Sequence, residues 1–225
     1  MPDNTTLDIG GKLRAARNMR GLSLRELATL AEVSPSLISQ IENGKANPSV
    51  MTLHTIAATL DIPINYFFPS DGDSDEGASQ PAAAESNDDA SHLRSKHGVS
   101  AMSNVLNDGS HQSGSRNPAV CAHERARIEL RGGVIWERLT PSSTDNAEFL
   151  EIHYASGASS GEAMSRHPGR EFGMVLEGEL QLELGFERYL LKPGDSIIFD
   201  STTPHRLTNV GQGEMRAVWV IFNSP

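Results

Sequence analysis

The spacing of apolar residues changes twice along the chain. From residue 7 to residue 68 they recur three and four apart, the period of helices that bury one face. Ile9, Leu13 and Ala16 place a first helix over about Asp8 to Arg20, and Gly21 ends it. Ser23-Leu24-Arg25-Glu26 has capping-box spacing and opens a second, with Leu27, Ala28 and Ala31 on one face. Ser34 as N-cap and Pro35 at the first helical position open a third, which Asn43-Gly44 closes. Asn47-Pro48-Ser49 starts a fourth, with Leu53, Ile56, Ala57 and Leu60 inward, and Pro63 to Phe68 predicts a short fifth.

Residues 69–118 lose that period. DGDSDEGASQPAAAESNDDASHLRSKHGVS is rich in Ser, Asp, Gly and Ala and too poor in apolar groups to offset the entropy of ordering. It reads as a flexible acidic linker, in which Val99, Met102, Val105 and Leu106 allow a turn or two of helix. His92, His97 and His111 are too dispersed there for a metal site. So long a tether predicts that any signal between the halves travels through dimer arrangement or local ordering.

From residue 119 the pattern becomes one of strands and tight turns. Gly133–Leu139, Glu148–Tyr154, Glu171–Glu177, Leu180–Leu184, Arg188–Leu191, Ser196–Phe199 and Met215–Phe222 alternate or run apolar, and His205 begins a further strand. Gly178, Gly185 and Pro193-Gly194-Asp195 punctuate them. The sequence thus predicts a multidomain α and β chain: an all-α five-helix domain over 7–68, a linker over 69–118, and an all-β closed sandwich or jelly roll over 119–225.

Charge changes this picture in one respect. The chain carries a formal net charge of −10, yet residues 1–68 are net 0, while 69–118 and 119–225 each carry −5. The acidity lies outside the helical part, so that part can meet a polyanion if its basic groups face the phosphates. The single cysteine, Cys121, excludes an intrachain disulfide, fits a cytoplasmic setting and is expected as a small buried hydrophobe. No apolar run reaches the roughly 18 residues of a membrane span, and MPDNTTLDIGGKL lacks the pattern of a secretory signal.

Only about three residues, Glu32-Val33-Ser34, join the second and third helices, which forces the sharp crossing of a helix-turn-helix. The third helix would then present Ser36, Ser39 and Gln40 to base edges in the major groove, Gln40 as a bidentate partner for adenine. Asn43 and Lys45, just past it, suit phosphates, and Arg25 and Ser34 complete the predicted DNA-binding set. GLSLRELATLAEVSPSLISQIENGKANPS with LHTIAATLDIPINYFF resembles the lambda-repressor-like (XRE-type) helix-turn-helix family of bacterial regulators. That resemblance implies an Arg17–Glu42 ion pair. It also makes Glu32 a departure, since the family has Gly in the turn, and some left-handed strain follows.

In the second half, HPGREFGMVLEGE and PHRLTN carry the chemistry. His167 and Glu171 are four apart and His205 starts a strand, an imidazole–carboxylate set that suits Zn, Fe, Ni or Mn. Alternation puts Gly173 and Val175 on the face of Glu171, and Trp136, His153 and Trp219 are candidates for cavity walls. These motifs resemble those of the cupin family, matched at His167, Glu171 and Gly178 and again at His205 and Asn209. Ser165 stands where that family has a first His, so one of its four usual ligands is missing; the family's barrel also holds organic ligands without metal.

A lambda-repressor-like head joined to one cupin resembles bacterial regulators whose cupin senses a metabolite. The resemblance implies a homodimer, an operator in double-stranded DNA, and a small-molecule effector held by His167, Arg170, Glu171 and His205. Histidines and an arginine suit a carboxylate, phosphonate or sulfonate. The alternatives are a metal-dependent cupin enzyme, a dioxygenase or isomerase with His167, Glu171 and His205 as ligands, and an architectural DNA-binding dimer with an empty barrel.

Overall fold

A computed structural model describes residues 9–69, 118–142, 144 and 146–222. The predicted linker falls almost wholly outside them, as do His92, His97, His111 and the short helical turn expected near Val99.

The head has four α-helices: α1 (Ile9–Met19), α2 (Leu24–Leu30), α3 (Pro35–Glu42) and α4 (Val50–Leu60). The fifth helix is a single 3-10 turn, Ile64–Phe67, because four residues behind Pro63 have no room for an α-helical ladder. The caps are those the sequence specifies. Ser23 Oγ accepts from Glu26 N while the Glu26 carboxylate accepts from Ser23 N. Ser34 and Ser49 cap α3 and α4 without the reciprocal bond, their hydroxyls accepting from Leu37 N and Thr52 N. Glu32 adopts φ 53°, the left-handed conformation that a glycine would take without strain. Helix α1 crosses α3 so closely that a Cβ on Gly10 would lie 2.3 Å from the Ile41 carbonyl oxygen. Leu13, Leu27, Ile38, Leu53, Ile56, Leu60 and Phe67 fill the space between the helices.

Nine strands follow: β1 (Arg127–Leu130), β2 (Val134–Arg138), β3 (Ala147–Tyr154), β4 (Arg170–Glu177), β5 (Leu180–Leu184), β6 (Glu187–Leu191), β7 (Ser196–Asp200), β8 (His205–Asn209) and β9 (Met215–Phe222). They form an antiparallel six-stranded sheet, β1-β2-β3-β9-β4-β7, and a three-stranded one, β6-β5-β8. This is the cupin jelly roll. Strand β1 was not expected from the sequence: four residues with two charges give little signal, and its pairing with β2 supplies the rest. Inward residues such as Leu150, Ile152, Val175, Leu182 and Ile221 make the core between the sheets. Gly178 turns β4 into β5 at φ 79°, where a Cβ would meet Glu214 O at 2.8 Å. Asn209 ties the far end by donating to Tyr154 O, Ala155 O and Gly213 O. Cys121 is exposed, not buried, because it precedes β1 at a short 3-10 turn outside the barrel.

Head and barrel belong to one compact unit. Helix α4 starts against the barrel: Met51 N donates to Ser160 O at 3.2 Å and Arg131 N donates to Pro48 O at 2.8 Å. The Asn65 amide reaches Ala147 O at 3.4 Å, and the Arg138 guanidinium lies over the Phe68 ring. The long tether led to the expectation that a signal between the halves travels through dimer arrangement or local ordering; these contacts add a direct route. The two halves touch directly, through surfaces whose pairing the separate patterns of each half do not encode.

Candidate functional site

Helix α3 presents the expected polar face. Ser36 and Gln40 are exposed, Ser39 is half-buried, and Gln40 Nε2 lies 3.4 Å from Ser36 Oγ. Ile38 and Ile41 turn inward. Arg25, Ser34 and Lys45 are exposed around it. Asn43 is exposed but engaged: it donates to Ser39 O and accepts from Arg14.

Behind this face lies the Arg17–Glu42 pair. Arg17 grips both carboxylate oxygens, at 2.6 and 3.0 Å, and Arg14 Nε reaches Oε2 at 3.3 Å. Glu42 is buried, which by itself would raise its carboxyl; the two arginines outweigh that and hold it below the usual range. The pair fixes the end of α3 against α1. Arg14 is the member the sequence reading missed.

The barrel site forms where the two sheets face each other. Glu171 projects inward from β4, His205 from β8, and His167 from the segment before β4. Glu171 Oε1 lies at ion-pair distance from both rings, 3.1 Å from His167 Nε2 and 3.2 Å from His205 Nε2, without a well-aligned hydrogen bond to either. The other oxygen accepts from Trp219 Nε1 at 2.6 Å. Burial alone would raise the Glu171 carboxyl, but His167, His205 and Trp219 outweigh it and bring it down to about 2. Burial alone would lower His167; the carboxylate beside it moves it above its ordinary value instead. Ser165 Oγ sits 3.3 Å from His205 Nε2.

Trp136 and Trp219 are pocket walls, as expected. Gly173 is the floor beneath the Trp219 indole: a Cβ there would lie 2.0 Å from the ring. Two expectations need correction. Arg170 is exposed on the opposite face of β4 from Glu171, because neighbours on a strand point to opposite sides, and it does not line the pocket. His153 likewise faces away from Ile152 and Tyr154. It joins Glu137 and Glu151, a group that Arg125 and Arg216 neutralise. The residue that sequence reasoning missed is His54. It lies on α4 of the head, yet its ring stacks on His167 at 4.3 Å and meets Trp136 edge-on at 5.7 Å. Burial, with His167 beside it, lowers its pKa to about 3, so the ring is neutral. Its only signal was a polar residue among the apolar positions of an amphipathic helix.

Comparison with known proteins agrees with this architecture. Residues 13–67 match the helix-turn-helix family model and residues 150–221 the cupin domain model. The chain is a transcriptional regulator with a helix-turn-helix head and a cupin domain. The HTH-type transcriptional regulator PuuR of Escherichia coli (strain K12) is 28% identical to this regulator over 211 residues, 93% of this chain and 91% of that one. SinR of Bacillus subtilis (strain 168) is 40% identical over 58 residues, 25% of this chain and 52% of that one. An HTH_3 family transcriptional regulator from Vibrio cholerae superposes with a TM-score of 0.60 over 97% of both chains at 21% identity, a likeness of fold.

The donor set of the regulator's barrel suits a divalent metal. His167, Glu171 and His205 each offer one atom, all within 4.8 Å of one another, and Glu171 Oε1 is buried without a hydrogen-bond donor. These three residues would hold such an ion. Among the described residues no helix is long and apolar enough to cross a membrane.

Proposed function

We propose that this regulator reads an operator in double-stranded DNA as a homodimer and binds a small-molecule effector in its cupin barrel, in the cytoplasm. The observation that carries the effector reading is the unsatisfied chemistry of the pocket. Glu171 Oε1 and Trp136 Nε1, an acceptor and a donor among the lining residues, are buried without hydrogen-bond partners. A buried polar atom without a partner calls for one, and a guest seated between these two would supply a donor to Glu171 and an acceptor to Trp136. His167, Glu171 and His205 are the effector-site residues; Arg170, on the outer face, is not among them. A metal on the same three residues would supply a Lewis-acid anchor for a carboxylate or phosphonate.

For DNA, Gln40 is proposed to read a base edge, with Ser36 and Ser39 beside it and Arg25, Ser34 and Lys45 on the backbone. Asn43, held by Ser39 and Arg14, is pre-positioned for a phosphate. Half-sites one helical turn apart need two heads. An apolar stripe on the outer face of the six-stranded sheet suits a second copy of the chain. Phe172, Met174, Ile198 and Phe222 are 37%, 44%, 57% and 48% exposed on adjacent strands, and a two-fold pairing would cover the stripe with itself.

The test begins with selection of duplexes from a random 40-base-pair pool, followed by sedimentation of the protein alone and on the selected DNA. A palindromic consensus bound by two chains is expected. Gln40→Ala should then cost about 1–3 kcal/mol on the selected site and nothing on random DNA. Metal analysis and thermal shifts with small carboxylic, phosphonic and sulfonic acids test the barrel. Stabilisation lost in His205→Ala supports the effector reading. Metal in one-to-one ratio with turnover of a substrate would move the assignment to a metal-dependent cupin enzyme.

A further inference from the structure

The barrel pocket is not built by the barrel alone. Eleven of its lining residues come from the cupin domain, but Val50 and His54 come from α4 of the head. They are four apart, so both project from one face of the helix. His54 lies flat on His167 and edge-on to Trp136. The start of α4 is pinned to the pocket rim by the Met51 N to Ser160 O bond. Beside it, Gly161 leaves so little space that a Cβ would stand 3.1 Å from Met51 Cβ. The space left among these side chains is about 20 Å³. That admits one or two waters or a single ion, whereas pockets for metabolites run to about 300 Å³ or more.

We infer that the head's seat and the effector pocket are one site, so that an organic ligand enters only by displacing His54 and, with it, helix α4. The inference rests on the effector reading above for what enters the pocket; its steric part stands without it. Because a ligand cannot share the space with His54, ligand binding and head docking are mutually exclusive, and each weakens the other by the same factor. The consequence for DNA is specific. Ser36, Gln40 and Lys45 on and beside α3 are exposed while the head is docked. The ligand therefore does not uncover the recognition helix. It changes where the two heads of a dimer are held, and so whether they match the spacing of two half-sites.

The test needs no effector. In the full chain with Cys121→Ser, Leu30→Cys and Phe186→Cys place spin labels on exposed positions of head and barrel, and pulsed electron resonance reads the distance between them. Ser165→Phe fills the pocket from the barrel side. It should abolish the single docked distance and leave a broad distribution at longer range, with the β-sheet circular dichroism unchanged. Adding His54→Ala to Ser165→Phe should restore the docked distance, because the new ring then takes the vacated space. Should Ser165→Phe not fold, Val50→Trp fills the same space from the head and leaves every barrel residue intact, with the same rescue expected. A docked distance that survives the pocket-filling substitution in a folded protein overturns the inference, and so does an undocked distance that His54→Ala fails to restore. If the rescue works but no small acid stabilises the protein, the effector reading fails and the shared seat remains.

Discussion

Glu42 in the head and Glu171 in the barrel are both buried carboxylates, and the two are solved differently. Glu42 in the head is saturated: both oxygens are held by arginines, whose charge is permanent. Glu171 in the barrel is only half satisfied: Trp219 takes one oxygen, and the other faces two imidazoles without a well-aligned hydrogen bond to either. A carboxylate closed by arginines can only hold structure. One faced by histidines, which can be neutral or charged, keeps a position that a metal or a ligand can take.

The same substitution at both sites tests this contrast. Glu42→Gln leaves two arginines without their anion, one of them only 13% exposed, and should destabilise the protein by about 3 kcal/mol in urea unfolding. Glu171→Gln keeps an acceptor for Trp219, and its imidazoles can sit neutral, so about 1 kcal/mol is expected. Equal losses would break the comparison. Between the two in size is Gly173→Ala, whose methyl must push the Trp219 indole off Glu171. It should cost about 1–3 kcal/mol and remove any thermal shift by metal or small acids, while DNA binding by the isolated recognition face is kept.

A pH series sharpens the head's side of the contrast. The Glu42 carboxyl lies below its usual range when folded. Its contribution is therefore complete above the ordinary carboxylate range and is lost as pH falls through the lowered folded value. Acid unfolding should steepen in that window for the wild type and flatten in Glu42→Gln. The smallest effect belongs to the α2–α3 turn. Glu32→Gly relieves a left-handed residue but frees the unfolded chain, so a net gain below about 1 kcal/mol is expected in thermal unfolding.

Most of each half was legible because local chemistry carries it. Ser23, Ser34 and Ser49 announce their helices, and Gly and Pro punctuation marks the strand ends. His167, Glu171 and His205 come together as their motifs predicted: alternation turns Glu171 inward from one sheet and His205 inward from the other, with His167 on the segment that leads into β4. Arg170 obeys the same alternation: the residue beside an inward Glu171 must point outward. His54 and Arg14 were invisible because their meaning depends on a neighbour distant in sequence. Nothing near His54 says that a barrel 113 residues further on will hold His167 against it.

Both tryptophans of the chain, Trp136 and Trp219, stand in the wall of that pocket, one touched by the head and the other bonded to Glu171. The indole emission of the whole molecule is thus the emission of one site. Excitation at the red edge of the indole band would follow the seating of the head and the arrival of a guest in real time, in the unlabelled protein, with no background from elsewhere in the fold.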